Sequence, residues 1–65
     1  MSSSNLVSVG YDAASETLEV EFRESRVYQY AGFPQHEYDA FMSASSLGSH
    51  FYHHIRDRYV TTEIL

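Results

Sequence analysis

The chain has no cysteine, no lysine, one proline and three glycines, and none of its apolar runs is long. Each scarcity excludes something. Without cysteine there is no disulfide to brace a small core and no thiolate for a structural zinc site, and nothing argues for an oxidising compartment. No apolar stretch approaches the roughly 18 residues that a membrane helix needs, so no membrane partner is expected. The start, Met1-Ser2-Ser3-Ser4-Asn5, has neither the basic nor the apolar segment of a secretory signal. The expectation is a cytoplasmic protein with residues 1–5 disordered and a single domain over residues 6–65. The missing lysines leave four arginines as the whole fixed positive charge against nine acidic residues, a net charge of −5. Binding along a nucleic-acid backbone draws on Lys and Arg, so this balance counts against a broad phosphate-tracking surface and leaves room only for a local patch.

What is present is aromatic. Six tyrosines and four phenylalanines in 65 residues supply most of the burial energy of a chain so short that it hides only about 60% of its unfolded surface. Leu6 to Asp12 alternates, with Val7, Val9 and Tyr11 on one side. Thr17 to Arg23 alternates again, Leu18, Val20 and Phe22 facing one way and Glu19, Glu21 and Arg23 the other. Pairing Tyr11 with Leu18, Val9 with Val20 and Val7 with Phe22 collects six apolar side chains on one face, which predicts a hairpin.

Val27-Tyr28-Gln29-Tyr30 reads as a third strand, and the length of the loop before it decides where its tyrosines point. A two-residue loop, Glu24-Ser25, places Tyr28 and Tyr30 on the acidic face. A three-residue loop, Arg23-Glu24-Ser25, pairs Phe22 with Arg26 and turns both tyrosines to the core face. The longer loop is favoured, because the shorter one exposes two large rings and buries Gln29.

Pro34 suits the first position of a helix running to about Ala44, with Tyr38, Phe41 and Met42 as its inner stripe. Ser45 or Ser46 then caps a second helix whose apolar residues Leu47, Phe51, Ile55 and Tyr59 recur every four residues. The β-branched tail from Val60 to Leu65 is an optional short C-terminal strand. The expected architecture is α+β: a three-stranded antiparallel β-meander followed by two α-helices packed on one face.

This order of elements resembles the KTSC domain family, which is named for its place at the C-terminus of some lysyl-tRNA synthetases. The resemblance is carried by Val9-Gly10-Tyr11-Asp12, Leu18-Glu19-Val20-Glu21-Phe22, Tyr28-Gln29-Tyr30, Phe33-Pro34, and Gly48 through Phe51 to Ile55-Arg56 and Tyr59. Three positions depart from it: Ser25 stands where the family commonly has glycine, Tyr52 where asparagine is frequent, and Val60 where proline is common. Ser25 therefore puts a side chain where a left-handed turn favours none. The resemblance implies a small domain without an assigned activity, for which RNA binding has been suggested from the synthetase context. Tyr28, Tyr30, Phe51, Ile55 and Tyr59, the motif residues, are expected to be mainly structural.

The one locally basic stretch, His50 to Arg58, holds three of the four histidines and two of the four arginines on the expected second helix. Arg56, Arg58, His50, His53, His54 and Tyr52 are the candidates for contact with a partner or a nucleic acid, through phosphate pairing, pH-dependent donation and stacking. His50, His54 and Asp57 share a helical spacing that two-histidine metal sites use, but the set lacks a fourth ligand, and neither metal nor cofactor is expected. No hydrolase, zincin or phosphate-loop motif occurs, so no enzyme is expected. The leading expectation is a non-catalytic binding module for a protein partner or a second copy of itself, with RNA binding through the Arg/His face of the last helix as the alternative.

Overall fold

A computed structural model of the chain describes residues 6–65, and the expected disorder of residues 1–5 lies outside them. Four strands, β1 (Leu6–Asp12), β2 (Thr17–Phe22), β3 (Arg26–Ala31) and β4 (Val60–Glu63), form one antiparallel sheet in the order β1-β2-β3-β4. Between β3 and β4 come two helices, α1 (Gln35–Ser43) and α2 (Leu47–His54). The expected meander thus gains a fourth strand from the tail, and the edge of β3 that the first three strands leave open is filled by β4.

The loop before β3 is the three-residue one. Phe22 pairs with Arg26, Val20 with Tyr28 and Leu18 with Tyr30, so both tyrosines share the core face. The turn itself, Arg23–Ser25, is a single turn of 3-10 helix in which Glu24 (φ 70°) and Ser25 (φ 61°) both take the left-handed conformation. The same core face holds Leu18 and Val20, which meet Phe33, Phe41, Phe51 and Ile55 from beyond the sheet.

The expected pairing of Val7 with Phe22 is wrong. Leu6 pairs with Phe22 and Ser8 with Glu21, so β1 carries one extra residue, a bulge at Val7. Leu6 takes the place against the core, and Val7 is left 58% exposed. A single inserted residue reverses the side that every residue before it faces, and the alternating pattern of Leu6-Val7 fits either register equally well.

Pro34 stands one place before the first helical residue, and its carbonyl accepts the N–H groups of Glu37 and Tyr38. In α1, Phe41 is fully buried and Tyr38 packs on the core, while Met42 is exposed. Tyr38 stacks on Tyr11 with ring centroids 4.6 Å apart, and the Tyr11 hydroxyl donates to the Phe33 carbonyl, fastening β1 to the chain that leads into α1. Ser46 caps α2 by accepting the Ser49 N–H at 3.3 Å.

The second helix is shorter than its sequence period suggests, and it does not carry Arg56, Asp57 and Arg58. The Phe51 carbonyl accepts from both Ile55 and Arg56, the Ile55 carbonyl accepts from Arg58, and the helix ends at His54. The reason lies downstream. Tyr59 must reach Phe33, against which its ring packs edge-on at 4.8 Å, and Val60 must pair with Ala31 to begin β4. A straight helix would carry both away from the sheet.

Candidate functional site

The end of α2 lies over the last pair of β2 and β3. Phe51, on the inner side of α2, packs edge-on against both Phe22 and Tyr30, at 5.3 and 5.6 Å between centroids. Phe22 in turn meets Tyr28 edge-on at 5.6 Å. These four rings form the floor of an open groove of ≈ 800 Å³, within the range of small-ligand sites. Its walls are the turn between β2 and β3 on one side and the connection from α2 to β4 on the other, with Thr61 of β4 contributing.

Three of the four arginines line this groove: Arg23, Arg26 and Arg56. Strand parity accounts for Arg26, which is opposite Phe22 and therefore on the same face as Tyr28 and Tyr30. Arg56 is there because the buried Ile55 anchors the chain directly before it, where the helix unwinds. Glu24 and Asp57 also line the walls, so the groove holds three guanidiniums against two carboxylates in a chain of net charge −5. Glu24 and Arg23 project from an exposed turn, where their mutual attraction is screened by water.

The two tyrosines differ. Tyr28 is half-buried, whereas Tyr30 is 3% exposed. Burial pushes the Tyr30 hydroxyl up to about 12, helped by neighbouring Tyr28 and by Asp57, with Arg56 pulling the other way. Tyr30 therefore stays a neutral O–H donor throughout the physiological range. The rings of Phe22 and Tyr30 each meet Phe51 edge-on and are largely covered, so the floor offers edges and hydroxyls more than open faces for stacking.

The residues singled out in the sequence do not gather in one place. Arg56 lines the groove, and its guanidinium carbon lies 4.8 Å from the centroid of the Tyr52 ring, which is 60% exposed beside it. Arg58 and His53 are exposed outside the groove lining. His50 is half-buried and not on the fully solvated face expected of it. It stacks on Phe41 at 5.5 Å, lies 4.6 Å from the His54 ring, and has a buried Nε2 with no hydrogen-bond partner. Burial, and then the nearby His54, lower its pKa, with Glu37 acting the other way. Because the helix stops at His54, Asp57 leaves the expected His50-His54-Asp57 face and joins the groove wall. Among the described residues no group of three or more His, Cys, Asp or Glu is placed to hold a metal ion.

Arg23 and Arg26 did not stand out in the sequence because they are some thirty positions from Arg56 and belong to a turn. One signal was available. If Phe22 is opposite Arg26, then the Arg26 side chain must lie on the tyrosine face.

A four-stranded antiparallel sheet closed by a terminal strand, with two short helices over one face and an arginine-lined groove at their junction, defines a class of small α+β domain. A family model described as the KTSC domain matches residues 2–59, and the chain belongs to the KTSC domain family. It is similar to a crystal structure of a KTSC domain protein from Yersinia pestis, with a TM-score of 0.91 and 40% identity, covering 100% of this chain and 92% of that one. It also resembles an uncharacterized protein of Stutzerimonas stutzeri (strain A1501), 43% identical over 51 residues, which is 78% of this chain and 72% of that protein. No helix among the described residues is long and apolar enough to cross a membrane.

Proposed function

We propose that this domain is a non-catalytic binding module for a protein partner, and that its groove receives an acidic segment of that partner. The observation that carries the reading is the convergence of Arg23, Arg26 and Arg56 on one aromatic-floored groove in a chain with only four arginines and no lysine. Arginine clusters recognise acidic and phosphorylated motifs through paired N–H donors that match a carboxylate or phosphate. Here the Tyr28 and Tyr30 hydroxyls add uncharged donors. A few anionic groups suffice to fill such a site, and the chain's net charge of −5 disfavours a longer polyanion. The cytoplasmic setting expected from the sequence belongs with this proposal.

RNA is the competing ligand. Its support is the exposed Tyr52 ring with Arg56 over it, which is a small stacking platform. The covered floor weighs against it, because base stacking needs open ring faces, and a chain with no lysine has few charges to set along a phosphate backbone.

The test is fluorescence anisotropy at low salt with a labelled six-residue Asp/Glu peptide and a labelled single-stranded RNA hexamer. The peptide is expected to bind more tightly than the RNA. The double substitution Arg26→Ala with Arg56→Ala is expected to weaken peptide binding at least tenfold, and Arg58→Ala to leave it within about twofold. Tighter binding of the RNA, or peptide binding indifferent to Arg26 and Arg56, sinks the proposal.

A further inference from the structure

Every open sheet has two edges, and here they are built differently. β1 is blunted by its bulge at Val7, a common device against unwanted pairing. β4 has none. Val60–Glu63 contains no proline, glycine or lysine, pairs with β3 in unbroken register, and exposes all four residues. Its outer edge is armed as well. Just past the strand Ile64 and Leu65 both donate to the Val27 carbonyl, at 2.7 and 3.4 Å, and the Val27 N–H donates to the Leu65 carbonyl, so the regular ladder ends there; within Val60–Glu63 its alternation turns the N–H and C=O of Thr61 and Glu63 away from β3.

We infer that β4 pairs antiparallel with β4 of a second copy of the chain, about a two-fold axis at Thr62, to give one continuous eight-stranded sheet. A two-fold axis perpendicular to the sheet requires opposed residues to share a face, which restricts the centre to a residue rather than a peptide bond. Four centres remain within the strand, and centring on Val60 pairs the outward Thr61 with Tyr59, which lies outside β4. Centring on Glu63 sets two like charges directly opposite, which is destabilising. Centring on Thr61 leaves Val60 opposite Thr62. Centring on Thr62 places Val60 opposite Ile64 on both sides of the axis, two of the most exposed aliphatic side chains at 75% and 46%. It also sets Thr62 against Thr62 and Glu63 against Thr61. In this register the outward groups of Thr61 and Glu63 bond each other, and Thr62 falls at a non-hydrogen-bonded pair.

Charge supports the same partner. Thr61 lines the arginine groove, and Glu63 is on the same face, opposite Tyr28. Pairing at Thr62 therefore brings Glu63 of the second copy beside Thr61 and toward the arginine-bearing side of the groove. This inference does not depend on what the groove binds.

The chain lacks cysteine, so single cysteines report the register directly. At a non-hydrogen-bonded pair the Cα atoms are about 4.5 Å apart, within the span of a disulfide. Under mild oxidation Thr62→Cys is expected to give a covalent dimer in high yield, while Thr61→Cys and Glu63→Cys, each opposite a different residue, give little. Sedimentation equilibrium of the unaltered chain over a range to about 1 mM is expected to show a monomer–dimer equilibrium, weakened at least tenfold in Val60→Lys, an exposed position whose change leaves the fold intact. A strictly monomeric chain throughout that range overturns the pairing. Crosslinking of Thr61→Cys as efficient as that of Thr62→Cys overturns the register.

Discussion

At the scale of single residues, His50 shows how a polar side chain on an amphipathic helix can be drawn inward. Its ring lies on Phe41, its Nε2 has no partner, and burial followed by the approach of His54 disfavours the imidazolium, against a smaller pull from Glu37. The folded pKa is thus below the unfolded value of 6.5. Between the two values the unfolded chain binds more protons, so stability rises with pH in that window. The contribution of neutral His50 is complete above 6.5 and is lost as pH falls toward the folded pKa. Melting temperature is therefore expected to fall between pH 7.5 and pH 5.5, and to fall less in His50→Phe, which keeps the ring packing and removes the proton. An identical fall in the variant would place the effect on other groups. The faces of Tyr28 and Tyr30 hung on the loop length before them, and the favoured three-residue loop is the one found. At Leu6 and Val7 the face was not legible, because two adjacent aliphatic residues fit either face until the bulge decides between them. His50 was misread for a related reason: periodicity locates the apolar stripe, but not which flanking polar residue a neighbouring helix covers.

At the scale of elements, the turn between β2 and β3 sets both the register of the sheet and the position of two groove arginines. Glu24 and Ser25 hold successive left-handed conformations, in which a side chain costs about 1 kcal/mol or more and glycine costs little. Ser25 does not line the groove, so Ser25→Gly is expected to raise stability by roughly 0.5–1 kcal/mol, net of glycine's extra unfolded entropy. The midpoint of urea unfolding would rise at unchanged slope, and peptide binding would stay as it was; a lower midpoint would show that the turn relaxes differently. The strain at Ser25 was legible through the resemblance, since the family commonly has glycine there, whereas the left-handed Glu24 beside it was not foreseen. The end of α2 was hidden. Apolar residues at Leu47, Phe51, Ile55 and Tyr59 suit a helix of four turns, and only the need to return the chain to β3 cuts it at His54. The groove depends on that cut, because it places Arg56 and Asp57 across from Arg23 and Arg26, and long-range placement of this kind leaves no local signature.

At the scale of the molecule, the single core of a 65-residue domain with no disulfide supplies no more than about 3–5 kcal/mol, comparable to the cost of one large cavity. Phe33 is where that balance is most exposed. Its side chain is fully buried and touches the rings of Tyr11 and Tyr59, while its backbone accepts from the Tyr11 hydroxyl and donates to the Glu16 carbonyl at 2.9 Å. It joins the first hairpin, the entry to α1 and the segment leading into β4. Truncation of a buried Phe to Ala costs about 3–5 kcal/mol, which equals what the fold has to lose. Phe33→Ala is therefore expected to be largely unfolded at 25 °C, with collapsed amide dispersion in its NMR spectrum, whereas Phe33→Leu, losing less volume, keeps a dispersed spectrum and melts at a lower temperature. If the chain pairs with itself through β4, the melting temperature of Phe33→Leu also rises with protein concentration, since association stabilises only the folded form. A dispersed spectrum and cooperative melt for Phe33→Ala would mean that the two helices and the sheet hold together without the residue that now connects them.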